Sequence, residues 1–149
     1  MEADMTFPDR IERTLQLAHP PEKVWAALTT AEGLGTWFGN RAEVDLRVGG
    51  TARLIWDSGD TATLTITRVE PPHVFAYTWP IYGLPQEDPR RNQVEFTLTP
   101  SADGTTLTMI ESGFAQVPDE TVHNTAYTGN TKGWTSELGE LVAYLDGQA

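Results

Sequence analysis

Between Ala42 and Met109, apolar residues fall at every second position in run after run, and only one helical stripe long enough to cover them follows. Ala42, Val44 and Leu46 form the first such run, then Ala52, Leu54 and Trp56, then Ala62, Leu64 and Ile66. Phe75, Tyr77 and Trp79 continue the pattern, followed by Val94, Phe96 and Leu98, and by Leu107 and Met109. Successive strand side chains point to opposite faces, so each run has one apolar side. Gly49-Gly50, Ser58-Gly59 and Ser101-Ala102-Asp103-Gly104 separate runs as hairpin turns do. A meander of antiparallel strands is the economical topology. Thr61, Thr63, Thr65 and Thr67 form a threonine row suited to a solvated face, so the sheet is one-sided.

The flanks supply the cover. Ile11, Arg13, Leu15 and Leu17 alternate with polar residues and read as a first strand ending near Ala18. His19-Pro20-Pro21 cannot continue a central strand, and proline suits a first helical position. A short helix over residues 22–29 follows, burying Val24, Trp25 and Leu28. Thr30 caps a second one that carries Leu34, Trp37 and Phe38, although Gly33 and Gly35 disfavour it. Pro118-Asp119-Glu120 starts the last helix, where Val122, Ala126, Asn130, Trp134, Leu138, Leu141 and Leu145 recur at helical spacing to Gly147. That is a helix of about seven turns. Gly129 and Gly133 each cost about 1 kcal/mol in a helix interior. They call for a packing reason, either close approach to strands or space left for a ligand. The expected fold is α+β: a curved seven-stranded antiparallel sheet wrapped around the long C-terminal helix, with two short helices after strand 1. One domain spans residues 1–149, with 1–8 a flexible tail.

Composition narrows the chemistry. The 149 residues include no cysteine, which removes disulfides, thiol catalysis and thiolate metal sites, and suits a reducing compartment such as the cytoplasm. A formal charge of -11 repels phosphate backbones and anionic lipids, so neither nucleic acid nor a membrane is the expected partner. The N-terminus does not read as a secretory signal, and no apolar run approaches the roughly 20 residues that span a bilayer. His19, His73 and His123 lack metal-ligand spacing, and no metal or cofactor is expected. Neither a nucleophile elbow nor a phosphate-cradling loop occurs, since Val48-Gly49-Gly50-Thr51 sits in a hairpin.

The segment His-Pro-Pro-Glu-Lys-Val-Trp-Ala-Ala-Leu-Thr-Thr-Ala-Glu-Gly-Leu-Gly-Thr-Trp-Phe at 19–38 resembles the opening of proteins similar to the activator of heat-shock-protein ATPase. These are members of the START-like, or SRPBCC, superfamily. Val48-Gly49-Gly50, Val69-Glu70-Pro71-Pro72 leading into Phe75-Ala76-Tyr77-Thr78-Trp79, Gly104-Thr105-Thr106-Leu107, Gly113-Phe114 and Gly133-Trp134 match the same pattern. The resemblance implies the helix-grip fold. It also implies one of three kinds of role known in the superfamily: binding hydrophobic small molecules between sheet and helix, aromatase or cyclase activity, or co-chaperone and stress-response work.

Several residues stand out as candidates for the site. The alternation that turns Leu107 and Met109 inward also turns Glu111 inward, and the same parity carries Arg68 beside Ile66 and Arg13 beside Leu15. These charges either converge at the mouth of an apolar cavity, where they would orient a ligand's polar end, or are strand-end residues reaching solvent. Asn130 shares the stripe of Ala126 and Trp134, and a buried amide must bond either a strand carbonyl or a ligand. His123 reads as a helix-surface residue. Trp25, Phe96 and Phe114 read as core. Trp56, Phe75, Tyr77, Trp79 and Trp134 either fill the core or wall a cavity, with Tyr82 and Met109 beside them. Residues 80–91 form a loop carrying Ile81, Tyr82 and Leu84, able to act as a lid.

The expected function is non-enzymatic binding of a small hydrophobic or aromatic ligand between sheet and helix, with no catalytic residue assigned. The alternatives are a protein-interaction module, such as a chaperone ATPase regulator, and a cyclase-like enzyme. The protein is expected to act as a monomer or homodimer.

Overall fold

The computed structural model describes residues 8–85 and 87–147; the expected tail at 1–8 lies almost wholly outside them. Strand β1 (Arg10–Leu17) leads into helix α1 (Pro21–Thr29), and the short α2 (Ala31–Gly33) runs into a π-helical turn (Leu34–Phe38). Strands β2 (Arg41–Val44), β3 (Thr51–Ile55), β4 (Thr61–Glu70), β5 (Val74–Pro80), β6 (Arg91–Ser101) and β7 (Gly104–Ser112) follow. Helix α3 (Glu120–Asp146) ends the chain. The sheet order is β1-β7-β6-β5-β4-β3-β2, antiparallel throughout, a seven-stranded meander closed onto β1.

Local chemistry explains the helix boundaries. Pro21 opens α1. The Thr30 hydroxyl accepts from Gly33 N at 3.0 Å, and Asp119 accepts from Val122 N at 3.0 Å, the two caps expected from sequence. The second helix is shorter than the spacing suggests, and close packing is the reason. A Cβ on Gly33 would come within 2.6 Å of Ala27 O, and one on Gly35 within 2.9 Å of Ala42 N. The backbone tightens against α1 and β2, and Trp37 Nε1 donates to Ala27 O at 2.7 Å.

Burial follows the alternation closely. Phe75, Tyr77, Val94, Phe96, Leu98, Leu107 and Met109 are buried on the inner face, against Ala126, Trp134, Leu138, Leu141 and Leu145 of α3. The threonine row lies mostly outside, as expected. Leu46 departs from its run: β2 ends at Val44, and Leu46 and Val48 are exposed in the turn to β3. Trp56 likewise falls just past β3, half-buried.

Arg68 is the clearest correction. The β4–β5 register shifts between Ile66 and Arg68, and this bulge puts Val69 inside opposite Phe75 and turns Arg68 out. Arg68 pairs there with Glu70 and, at 3.4 Å, with Glu95. Both Arg68 and Glu95 stand opposite Ala76 in register, so the pair covers Ala76, which is buried although it lies on the outer face. Arg13 keeps its inward parity, but its guanidinium donates to Glu12 O at 2.9 Å. The charged convergence therefore forms around neither arginine. His123 is corrected as well: it is buried, donates to Pro8 O at 3.1 Å and packs on Phe114.

At the β6–β7 turn, Gly104 has φ +154°, and a Cβ there would fall 2.1 Å from Leu17 O. Side chains rarely adopt that backbone conformation, and the carbonyl it would strike belongs to the paired β1. Gly104→Ala is expected to cost about 2–3 kcal/mol of stability, with the loss read as a lower urea midpoint at unchanged m-value.

Candidate functional site

The inner face of β7 ends at Glu111, fully buried. The adjacent strand β6, the next strand β5 and the helix aim N–H groups at it. Trp79 on β5 sits directly across from Asn92 on β6, and Asn130 and Trp134 stand one turn apart on α3. Trp79 Nε1 donates to Oε2 at 2.8 Å and Asn92 Nδ2 to Oε2 at 3.1 Å. Asn130 Nδ2 reaches Oε1 at 3.0 Å and Oε2 at 2.9 Å, while Trp134 Nε1 donates to Oε1 at 2.9 Å. All four donors are neutral. Burial pushes the Glu111 carboxyl above its usual range, while the hydrogen bonds from Trp134, Trp79, Asn92 and Asn130 pull the other way.

The neighbouring rings pack in a continuous series. Phe75, Tyr77 and Trp79 touch in order along β5, at centroid separations of 5.8 and 5.6 Å. Phe38 from the π-helical turn meets Trp79 at 5.9 Å and Trp134 at 5.7 Å, and those two indoles are 5.6 Å apart. The Tyr77 hydroxyl is buried without a hydrogen-bond partner. Burial, and the Glu111 charge after it, pushes that phenol well above its usual range.

Two openings flank the cluster. A cavity of about 250 Å³ lies beneath the loop after β5, between Thr61 and Ala62 at the start of β4, Trp79, Asn130, and the loop residues Ile81 and Leu84. A narrower cleft of about 60 Å³ lies between Phe38, Trp79, Asn130, Gly133, Trp134 and Glu137. In the loop, Ile81 is buried, Tyr82 is exposed, and the Tyr82 ring lies so close to Gly129 that a Cβ there would come within 2.9 Å of it. Gly133 meets nothing within 4 Å. Gly129 thus admits the loop, while Gly133, like Gly139 further along the helix, faces open space.

The candidates separate by position. Phe75, Tyr77 and Met109 are packed interior, and Trp56 leans on Phe38 while donating to its carbonyl at 3.2 Å. Glu111, Asn130 and Trp134 form the polar cluster with Trp79, and Tyr82 borders the larger cavity. Asn130 bonds the Glu111 carboxylate, where the sequence pointed to a strand carbonyl or a ligand. Asn92, Phe38 and Glu137 were missed. Asn92 lies two residues before Val94 and Glu137 seven after Asn130, so parity and helical spacing held the signal.

Glu137 is half-buried with one carboxylate oxygen, Oε2, enclosed and lacking a hydrogen-bond partner. Burial, then repulsion from Glu140, pushes its carboxyl up to about 7. A group raised above its ordinary value of 4.5 keeps its proton in the folded state while the unfolded chain has lost it. Stability therefore falls as pH rises from about 4.5 to about 7 and stays reduced above that. Glu137→Gln is expected to flatten this fall, gaining on the parent protein at pH 8 but not at pH 4.5 when melting temperatures are compared.

Glu111 yields a second test. Each buried N–H left unpaired costs about 1–3 kcal/mol, so Glu111→Ala is expected to lose about 3 kcal/mol or more. Glu111→Gln keeps the shape but turns an amide donor toward N–H donors, and it is also expected to be destabilised. Urea titration measures both, and a Gln variant as stable as the parent would rule out a structural need for the carboxylate.

Comparison with known proteins places these features in context. Residues 18–146 match the family model described as Activator of Hsp90 ATPase homolog 1-like protein. The crystal structure of protein MLL2253 from Mesorhizobium loti is 33% identical, with a TM-score of 0.80 over 94% of this chain and 98% of that one. DynU16, from the dynemicin biosynthetic locus, is 27% identical with a TM-score of 0.74; the match covers 93% of this chain and 48% of DynU16. The solution structure of an AHSA1-like protein from Aeromonas hydrophila shares the fold at 18% identity, with a TM-score of 0.71 and 93% of each chain covered. No curated protein matches the chain.

Proposed function

The chain belongs to the Activator of Hsp90 ATPase homolog 1-like family, and from that membership we propose that it binds a small apolar or aromatic molecule, without transforming it, in the cavity beneath the loop after β5. The observation that carries this reading is the wall shared by Trp79 and Asn130. Both spend their N–H groups on Glu111, so the indole meets the cavity with its donor already satisfied. A ligand approaching Trp79 has no indole hydrogen bond to break, and Ala62, Pro80, Ile81 and Leu84 add apolar surface. Such a wall favours flat, weakly polar molecules.

Volume limits the ligand's size. A cavity of about 150 Å³ holds benzene, and drug-sized ligands occupy about 300–1,000 Å³. About 250 Å³ suits a one- or two-ring compound better than a long acyl chain. DynU16, the relative from a biosynthetic locus, comes from a setting in which small molecules are handled, which agrees with this reading.

Titration with phenol, 2-naphthol and decanoate, followed by intrinsic tryptophan emission, is the direct test. The aromatic compounds are expected to shift or quench emission saturably, with decanoate weaker. Ala62→Phe, which places a ring in the cavity, is expected to weaken the aromatic ligands at least tenfold at little cost in melting temperature. Emission indifferent to all three compounds would sink the proposal.

A further inference from the structure

We propose that the cleft between Phe38, Trp79, Trp134 and Glu137 binds the head of a primary ammonium compound, a site distinct in chemistry from the apolar cavity beneath the loop. Three observations converge on it. First, the cleft wall is aromatic, with Phe38, Trp79 and Trp134 mutually within 5.9 Å. The rings pack on one another, so a cation would rest against the cluster and not between its members. A cation within about 6 Å of a ring centroid is attracted by the ring's negative face, and tryptophan is the best such partner.

Second, Glu137 Oε2 is enclosed and accepts no hydrogen bond. An enclosed carboxylate oxygen without a donor is costly. An ammonium N–H supplies both the missing hydrogen bond and the opposite charge. The other acid acting on Glu137 is Glu140, one turn on, which also favours a cation. No donor from Asn130 competes, because its Nδ2 is spent on Glu111. The net charge of -11 raises the local concentration of any cation.

Third, Gly133 lines the cleft with nothing within 4 Å of where a Cβ would stand. Glycine disfavours a helix interior, and here no close neighbour requires it. Gly129 differs in that the Tyr82 ring occupies its space. Gly133 is itself exposed, as is Gly139, so the space above it opens to solvent and an ammonium entering the cleft would meet no side chain there.

The test is titration with n-butylammonium chloride at pH 8, where Glu137 is ionised, followed by the indole N–H resonances of Trp79 and Trp134. Sodium chloride at equal ionic strength and n-butanol serve as controls. The expected result is a saturable shift of both resonances with butylammonium, at least tenfold tighter than with butanol and absent with sodium chloride. Glu137→Gln, which keeps the shape, is expected to weaken butylammonium at least tenfold. Gly133→Met, a better helix former, is expected to raise the melting temperature while weakening binding. Equal response to butylammonium and butanol, a response reproduced by salt, or unchanged affinity in Glu137→Gln would each overturn the proposal. None of these outcomes bears on the aromatic ligands of the larger cavity, which are titrated separately.

Discussion

A carboxylate taken out of water gives up several kcal/mol of hydration, and the burial of Glu111 is tolerable only because neighbouring elements return that loss as hydrogen bonds. Trp79 comes from β5, Asn92 from β6, and Asn130 and Trp134 from α3, all meeting on a β7 side chain. Neutral donors suit this task. A guanidinium would carry its own desolvation cost, whereas indole and amide N–H groups bury with less penalty and hold fixed directions. The cluster therefore ties helix to sheet at one register, because a shift of α3 along its axis would take Asn130 and Trp134 out of the separate positions from which each bonds the carboxylate.

That tie also sets the shape of the interior. Toward one end, Phe75, Tyr77 and Phe96 are almost wholly buried and pack ring against ring. Toward the other, rings anchored through their N–H groups cannot rotate to fill space without losing a bond to Glu111. The cavity and the cleft both lie along Trp79 and Asn130, where this restriction acts. Openings persist because the side chains beside them are held by polar geometry and cannot collapse inward as aliphatic ones would.

Much of this was legible from periodicity. A two-residue repeat placed Glu111 beside Met109 and Trp79 beside Tyr77, and a helical stripe placed Asn130 with Trp134, so four of the cluster's five members could be named before their contacts were known. What periodicity misses is a change of phase. The bulge between Ile66 and Arg68 inserts one residue, and every inference carried past it lands on the wrong face. Asn92, the second residue of β6, lies directly after a long loop, where strand limits are least certain from sequence. His123 lies one residue off the stripe, yet the chain before β1 and the turn after β7 close over it, a tertiary contact that no local pattern carries.

Gly129 and Gly133, two of the three glycines of α3, show how a shared local cost divides by context. Both weaken the helix by the same conformational entropy. At Gly129 the cost is offset by contact, since the Tyr82 ring occupies the place of a side chain and fastens the loop over the larger cavity. At Gly133 no contact offsets it, and the residue stands over a cleft whose walls are aromatic and whose acid lacks a partner. The glycine keeps the approach to the cleft clear of a side chain, and the enclosed Glu137 oxygen has a missing donor that a bound ammonium would supply. That coincidence gives the cleft a physical logic separate from the packing that built the fold.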